Sequence, residues 1–176
     1  MPIRKMTPRV RKFALTTHVS ASVGWLGAVA AYLALTITGI ATRDSGMASA
    51  VYRSMEVIGW IIIVPCSLAA LMTGLVQSLG TEWGLFRHYW IVAKLSLTVL
   101  ATVILVLHIP SVSRMARIAV DTALAAGDFT ELRMQRLVHA VGGLLVLLTI
   151  TALSVYKPWG RIGSAAEPRA GRVTAI

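Results

Sequence analysis

Four apolar runs, each about as long as a bilayer's hydrocarbon core is thick, constrain this chain more than any motif does. A helix of about 20 residues, rising 1.5 Å per residue, spans roughly 30 Å. In hydrocarbon every backbone N–H and C=O must be paired within the chain, so runs of this length fold as helices. The most informative run lies within Arg87–Arg114. It opens with His88, closes with His108 and is interrupted by one charge, Lys94. Lys94, Thr98, Ala101, Leu105 and His108 recur at the spacing of one helical face, while His88 projects from nearly the opposite side.

Composition agrees with this reading. The chain is 56% hydrophobic and 14% charged, far from the balance of a soluble domain. Its net charge of +10 resides in short clusters flanking the apolar runs, a pattern of membrane topology rather than a nucleic-acid face. The partner implied is therefore the lipid bilayer, with no nucleic acid. Cys66 is the only cysteine, so there is no disulfide framework and no cysteine metal motif. The first run is too long for a signal-peptide core and reads as a retained span.

The expected organisation is a basic cytoplasmic tail over 1–12, one four-span transmembrane domain over 13–160, and a disordered cytoplasmic tail over 161–176. The fold class is all-α: an up-and-down four-helix transmembrane bundle, with a short amphipathic helix between helices 3 and 4. The spans cover Phe13–Ile40, Val51–Ser78, a third ended by Pro110, and Leu137–Tyr156. Pro65 should kink the second span, with a neighbouring helix or Ser67 serving the freed carbonyl. The loop before that span covers Ala41–Ala50. The amphipathic helix comes from RMARIAVDTALAAG, and Asp128 with Glu131 has capping-box spacing for the last helix. Lys and Arg in the tails, the connections and the span ends number ten on the side of both tails and six on the other. That bias places both termini in the cytoplasm of a multi-pass protein of the bacterial inner membrane.

Two stripes mark the first span. Ser20, Gly24 and Ala28 are four apart and permit close helix approach, within the molecule or across a homo-oligomer. His18, Ser22, Trp25, Val29, Tyr32 and Thr36 form the second stripe. In the second span Glu56, Trp60, Ile63, Ser67, Ala70, Gly74 and Gln77 share a face.

Topology sorts the ionisable groups into two sets. Such groups inside spans are costly, so each is a site candidate. On the outer side lie Glu56, His108 and His139. His108 and His139 have similar depth on adjacent antiparallel helices and suit the axial ligation of a b-type haem iron. Gly142 and Gly143 on the His139 face leave room for a flat macrocycle. Glu56, His108 and His139 equally suggest a two-histidine, one-carboxylate metal site. The plainer alternative has both histidines bonded to lipid or loops at headgroup level. On the inner side lie His18, His88 and Lys94, with Gln77 nearby. His18 and His88 suggest a second haem. The same two histidines, with Lys94, equally suggest a quinol site with His18 as proton acceptor; Lys94, better matched to His18 in depth, suits an anion, a haem propionate or a quinone oxygen. Lys94 can instead carry its ammonium to the surface.

The runs WGLFRHYWIVAKLSLTVLATVILVLH, KFALTTHVSASVGWLGA and LVHAVGG resemble bacterial four-span integral membrane proteins of unassigned function, of the kind common in actinobacteria. The layout is more distantly similar to the membrane domain of copper-resistance D-type proteins and to four-helix b-type cytochromes. This chain lacks methionine-rich clusters and paired histidines on each helix, so neither copper nor haem ligands carry over from those families. Three functional expectations remain. One is a bis-histidine, b-type haem electron-transfer protein with a quinone or another redox partner. A second is a non-redox accessory subunit or small transporter using Glu56 and Lys94. The third is a metal-handling protein built on Glu56, His108 and His139. The chain carries no nucleophile elbow, phosphate loop or zinc-protease motif, and no soluble segment large enough for a catalytic domain.

Overall fold

The structure, a computed structural model, describes residues 6–80, 89–121 and 130–156; at 108, 109, 111–121, 130 and 132 the description is of the helical backbone alone. Five α-helices and one wide turn make four rods: α1 (Pro8–Ala41), α2 (Ser45–Ile58) running through Gly59–Ile63 into α3 (Val64–Gly80), α4 (Tyr89–Asp121) and α5 (Thr130–Tyr156). Among the described residues four helical stretches are long and apolar enough to cross a membrane: Pro8–Ala41, Ser45–Gly80, Tyr89–Leu107 and Arg133–Tyr156.

Local chemistry sets the ends. Pro8 occupies the first turn of α1, where its missing N–H costs nothing and its fixed φ suits a helix. The helix therefore takes in residues 8–12, which the sequence assigns to the tail. Its far end closes with Thr42 N–H donating to the Thr38 carbonyl at 3.0 Å. Asp44 then caps α2, its Oδ1 accepting from Met47 N–H at 2.7 Å. The expected ten-residue loop thus shrinks to residues 42–44. Asp128 and both tail segments, 1–5 and 157–176, lie outside the described residues.

The two prolines behave differently from expectation. Before Pro65 the chain widens into a π-helical turn, Gly59–Ile63, with Val64 N–H donating to the Gly59 carbonyl. Such a turn absorbs an extra residue, so the faces of α2 and α3 are re-phased at this point. Ser67 donates to the Val64 carbonyl at 2.8 Å, not to the carbonyl four residues before the proline. Pro110 does not end the helix of the third span; α4 continues through it to Asp121. Pro110 is exposed on α4. Of the amphipathic segment expected after it, residues 114–121 are helical as an extension of α4, and residues 122–127 lie outside the described residues.

Each rod packs on its neighbours in sequence, and α5 closes on α1. That cyclic order is an up-and-down bundle. The central core comprises Trp25, Ala28, Val29, Ile63, Ala70, Leu147 and Ile150, with Leu97 and Ala101 against it. A second cluster, Ala48, Val51, Tyr52 and Met55, packs on Tyr32 and Leu35. Phe13, Ile61, Leu107 and Val155 face outward, an arrangement that lipid tolerates and water does not. On α1 the His18–Trp25–Tyr32 stripe turns inward. Of the small-residue stripe only part is used: Ala28 is buried and Gly24 faces Cys66, whose Sγ would sit 3.3 Å from an added Cβ. Ser20 is exposed.

Candidate functional site

Among the described residues, one cavity opens toward the tails and another toward the opposite end. The tail-side cavity has a volume of about 640 Å³, within the range of small-molecule sites. Its wall combines the start of α1 (Arg11, His18), the end of α3 (Gly74, Gln77) and the start of α4 (Trp90, Lys94). Thr98, which is buried, continues the wall inward and donates to the Lys94 carbonyl at 2.8 Å.

His18 is held in a defined orientation. Its Nδ1 lies 3.1 Å from the Ala70 carbonyl and 3.0 Å from Thr73 Oγ1. A carbonyl only accepts, so Nδ1 carries the proton and Nε2 the lone pair. Thr73 donates its own hydroxyl to the Ala69 carbonyl and can accept from the ring. Gly74 makes this possible: a Cβ there would approach His18 Cε1 to 3.3 Å. Gln77 adds a second tie, donating from Nε2 to the Ala14 carbonyl at 3.2 Å. The half-buried Lys94 lies within electrostatic range of His18. The structure thus brings His18 and Lys94 into one cavity, with Gln77 beside them. His88 lies outside the described residues.

The opposite cavity has a volume of about 340 Å³ and a mostly apolar wall, including Trp25, Tyr32, Trp60, Ile63 and Leu105. His139 lines it from α5, followed by Gly142 and Gly143. The His139 Nδ1 donates to the Gln135 carbonyl at 2.7 Å, which puts the lone pair on Nε2. A Cβ on Gly142 would meet nothing within 4 Å, and one on Gly143 would meet only Val29 Cγ1 at 3.9 Å. This end therefore offers a histidine beside open space. His108 lies on α4 at the same end, with its side chain outside the description. Glu56 is half-buried one turn beyond Tyr52 and lines neither cavity. Among the described residues no three of His, Cys, Asp and Glu gather closely enough to hold a metal ion, a search that does not reach the side chain of His108.

One group escaped sequence reasoning. Arg136 counts as a loop charge in the orientation tally, yet it is only 3% exposed inside α5. Its guanidinium lies over the Tyr52 ring, 5.6 Å from the centroid, with Tyr32 also in electrostatic range. The signal that could have found it is its place three residues before His139, on the inward face of α5. Arg11 of the tail-side cavity was likewise read only as a tail residue.

No family model, no curated protein and no solved structure matches this chain.

Proposed function

We propose that this chain is a multi-span protein of the bacterial cytoplasmic membrane, with both termini cytoplasmic, that binds a quinone-type ligand in its tail-side cavity. The observation that carries the reading is the meeting of His18 and Lys94 on one cavity wall. A quinone head offers two carbonyl oxygens across a flat ring, and its quinol form offers two O–H donors. Lys94 donates to one oxygen. His18 Nε2, fixed as an acceptor by the bonds on Nδ1, accepts from a quinol O–H. Trp90 supplies an aromatic wall, and the isoprenoid tail leaves among apolar side chains such as Leu15 and Leu71.

The test is a fluorescence titration of the purified protein in nanodiscs with a short-chain quinone. Quenching should saturate, and most of the saturable part should vanish in Trp90→Phe. Losing a hydrogen bond to a charged group costs about 1.5–3 kcal/mol, so Lys94→Met should weaken binding roughly 10- to 100-fold. His18→Gln should weaken quinol binding more than quinone binding. Quenching that never saturates, or that ignores both substitutions, sinks the reading.

A second reading is favoured by the opposite cavity. There His139, with its lone pair on Nε2, and His108 would hold a b-type haem in the space beside Gly142 and Gly143. Bound there, the group would supply one-electron chemistry. The protein's own part is the Gln135 carbonyl, which fixes the imidazole tautomer. Protein from haem-replete cells should show a Soret band that His139→Ala and His108→Ala each abolish. A colourless protein, or a band untouched by both substitutions, removes this reading.

A further inference from the structure

We propose that the tail-side cavity selects its ligand by charge, taking an anionic quinone ring, one with an ionised hydroxyl, between Lys94 and Arg11. The assignment rests on the quinone reading of that cavity and specifies the ring. Lys94 lines the cavity from α4 and Arg11 lines it from α1. Each of these rods packs on α2, α3 and α5, so they stand diagonally across the bundle and bring the two cations to opposite walls. No aspartate or glutamate among the described residues lines the space with them. Beside His18, the polar groups there are the uncharged Gln77, Ser78, Thr98 and Ser154. At this mouth α1 begins with no acid in its first turn, so its N-terminus adds partial positive charge. A cleft lined by one sign of charge between low-dielectric walls focuses its field and concentrates ions of the other sign. Lys94 is half-buried within the apolar stretch Tyr89–Leu107, where an ammonium is costly without an opposite charge. A neutral quinone supplies none; an anionic one does.

The shape of the opening fits such a ring. Arg11, Leu15 and Val19 follow one another at four-residue spacing on α1, and all three are exposed and line the cavity. The cavity is therefore open to the bilayer along this row, with charge at one end and apolar surface beyond. An alkylated acidic ring has the same order. A hydroxyl beside one carbonyl of a 1,4-quinone is conjugated with the far carbonyl, which makes it a vinylogous carboxylic acid, ionised at neutral pH. Its charge is shared by two oxygens on different edges of the ring. Two such oxygens match two cations on opposite walls, and each donor makes a charge-assisted bond. His18 Nε2 is an acceptor, gives nothing to the anion, and keeps its part with the quinol form.

The full chain is reconstituted in phosphatidylcholine nanodiscs at neutral pH. It is titrated with 2-hydroxy-3-octyl-1,4-naphthoquinone, ionised, and with its methyl ether, which keeps ring and tail but carries no charge. Tryptophan quenching reads both, and empty discs correct each for partitioning into lipid. The acid should saturate at a bilayer concentration at least about tenfold below that of the ether, the discrimination of one charged hydrogen bond. Arg11→Gln should cut that ratio about threefold to fivefold, as suits an exposed charge, and Lys94→Met should cut it further. Arg11 is exposed near the start of α1, so Arg11→Gln removes no core packing. An ether that saturates as tightly as the acid overturns the proposal and leaves the quinone reading standing. A ratio unchanged in Arg11→Gln does the same. Saturation by neither compound removes the quinone reading and this assignment together.

Discussion

Replacing Trp25 by alanine should destabilise the bundle by about 3 kcal/mol, the largest loss expected from any single truncation in α1. Trp25 is 4% exposed, sits in the central cluster with Ile63, Leu147 and Ile150, and also walls the opposite cavity. In soluble proteins Phe or Trp to Ala in a core costs about 3–5 kcal/mol, part of it the transfer of apolar surface from water. In a bilayer the dissociated helices remain in lipid, so that part shrinks and lost packing dominates. The lower end of the range therefore applies. Trp25→Phe keeps an aromatic wall and should lose less. Phe13→Ala is the matched control: Phe13 is 74% exposed on the outer face and should change stability by less than about 0.5 kcal/mol. Reversible unfolding in mixed micelles measures all three. A Trp25→Ala loss no larger than that of Phe13→Ala would show that this residue does not face the core.

How much of this was legible follows from which forces act locally. The four rods are written in apolar run length, because a span must satisfy its own backbone, and they appear within a few residues of expectation. The inward face of α4 was equally legible: Thr98 is buried and Lys94, Ala101 and Leu105 are half-buried, following the 3.6-residue period. The meeting of His18 with Lys94 was readable as a match of depth, since helices of known direction fix height along the axis. Rotation about the axis was less legible. The small-residue stripe of α1 suggested one seam, but the bulkier His18–Trp25–Tyr32 stripe occupies the interior and leaves Ser20 outside. Mass in the core outweighs the ease of close approach. The π-helical turn was invisible because a proline announces a break and not how the chain absorbs it. Arg136 was misplaced for a related reason: charge near a span end was counted as surface, while Tyr52, distant in sequence, draws it inward.

Gly74→Val should weaken ligand binding in the tail-side cavity at least as much as His18→Gln, by displacing the His18 ring from its place in the cavity wall. Helix propensity alone argues against keeping this glycine, since glycine within a helix is about 1 kcal/mol poorer than alanine. The geometry explains its use. A Cβ at Gly74 would stand 3.3 Å from His18 Cε1, tighter than ordinary contact, and the Cγ atoms of valine reach farther. The imidazole would have to swing away, giving up its bonds to the Ala70 carbonyl and Thr73. Overpacking of this kind costs about 1–3 kcal/mol. Gly74→Ala asks for only a few tenths of an ångström from the ring and should fall between wild type and valine in quinone affinity. The decisive form is a double-mutant cycle with His18→Ala, which empties the space the ring occupies. In that background Gly74→Val should cost less than about 0.5 kcal/mol, leaving a coupling of about 1–2 kcal/mol between the two positions. Additive losses would mean that valine disturbs the α1–α3 packing generally. Coupling of the expected size would instead assign Gly74 a single task, to let α3 come close enough to fix the tautomer and direction of His18.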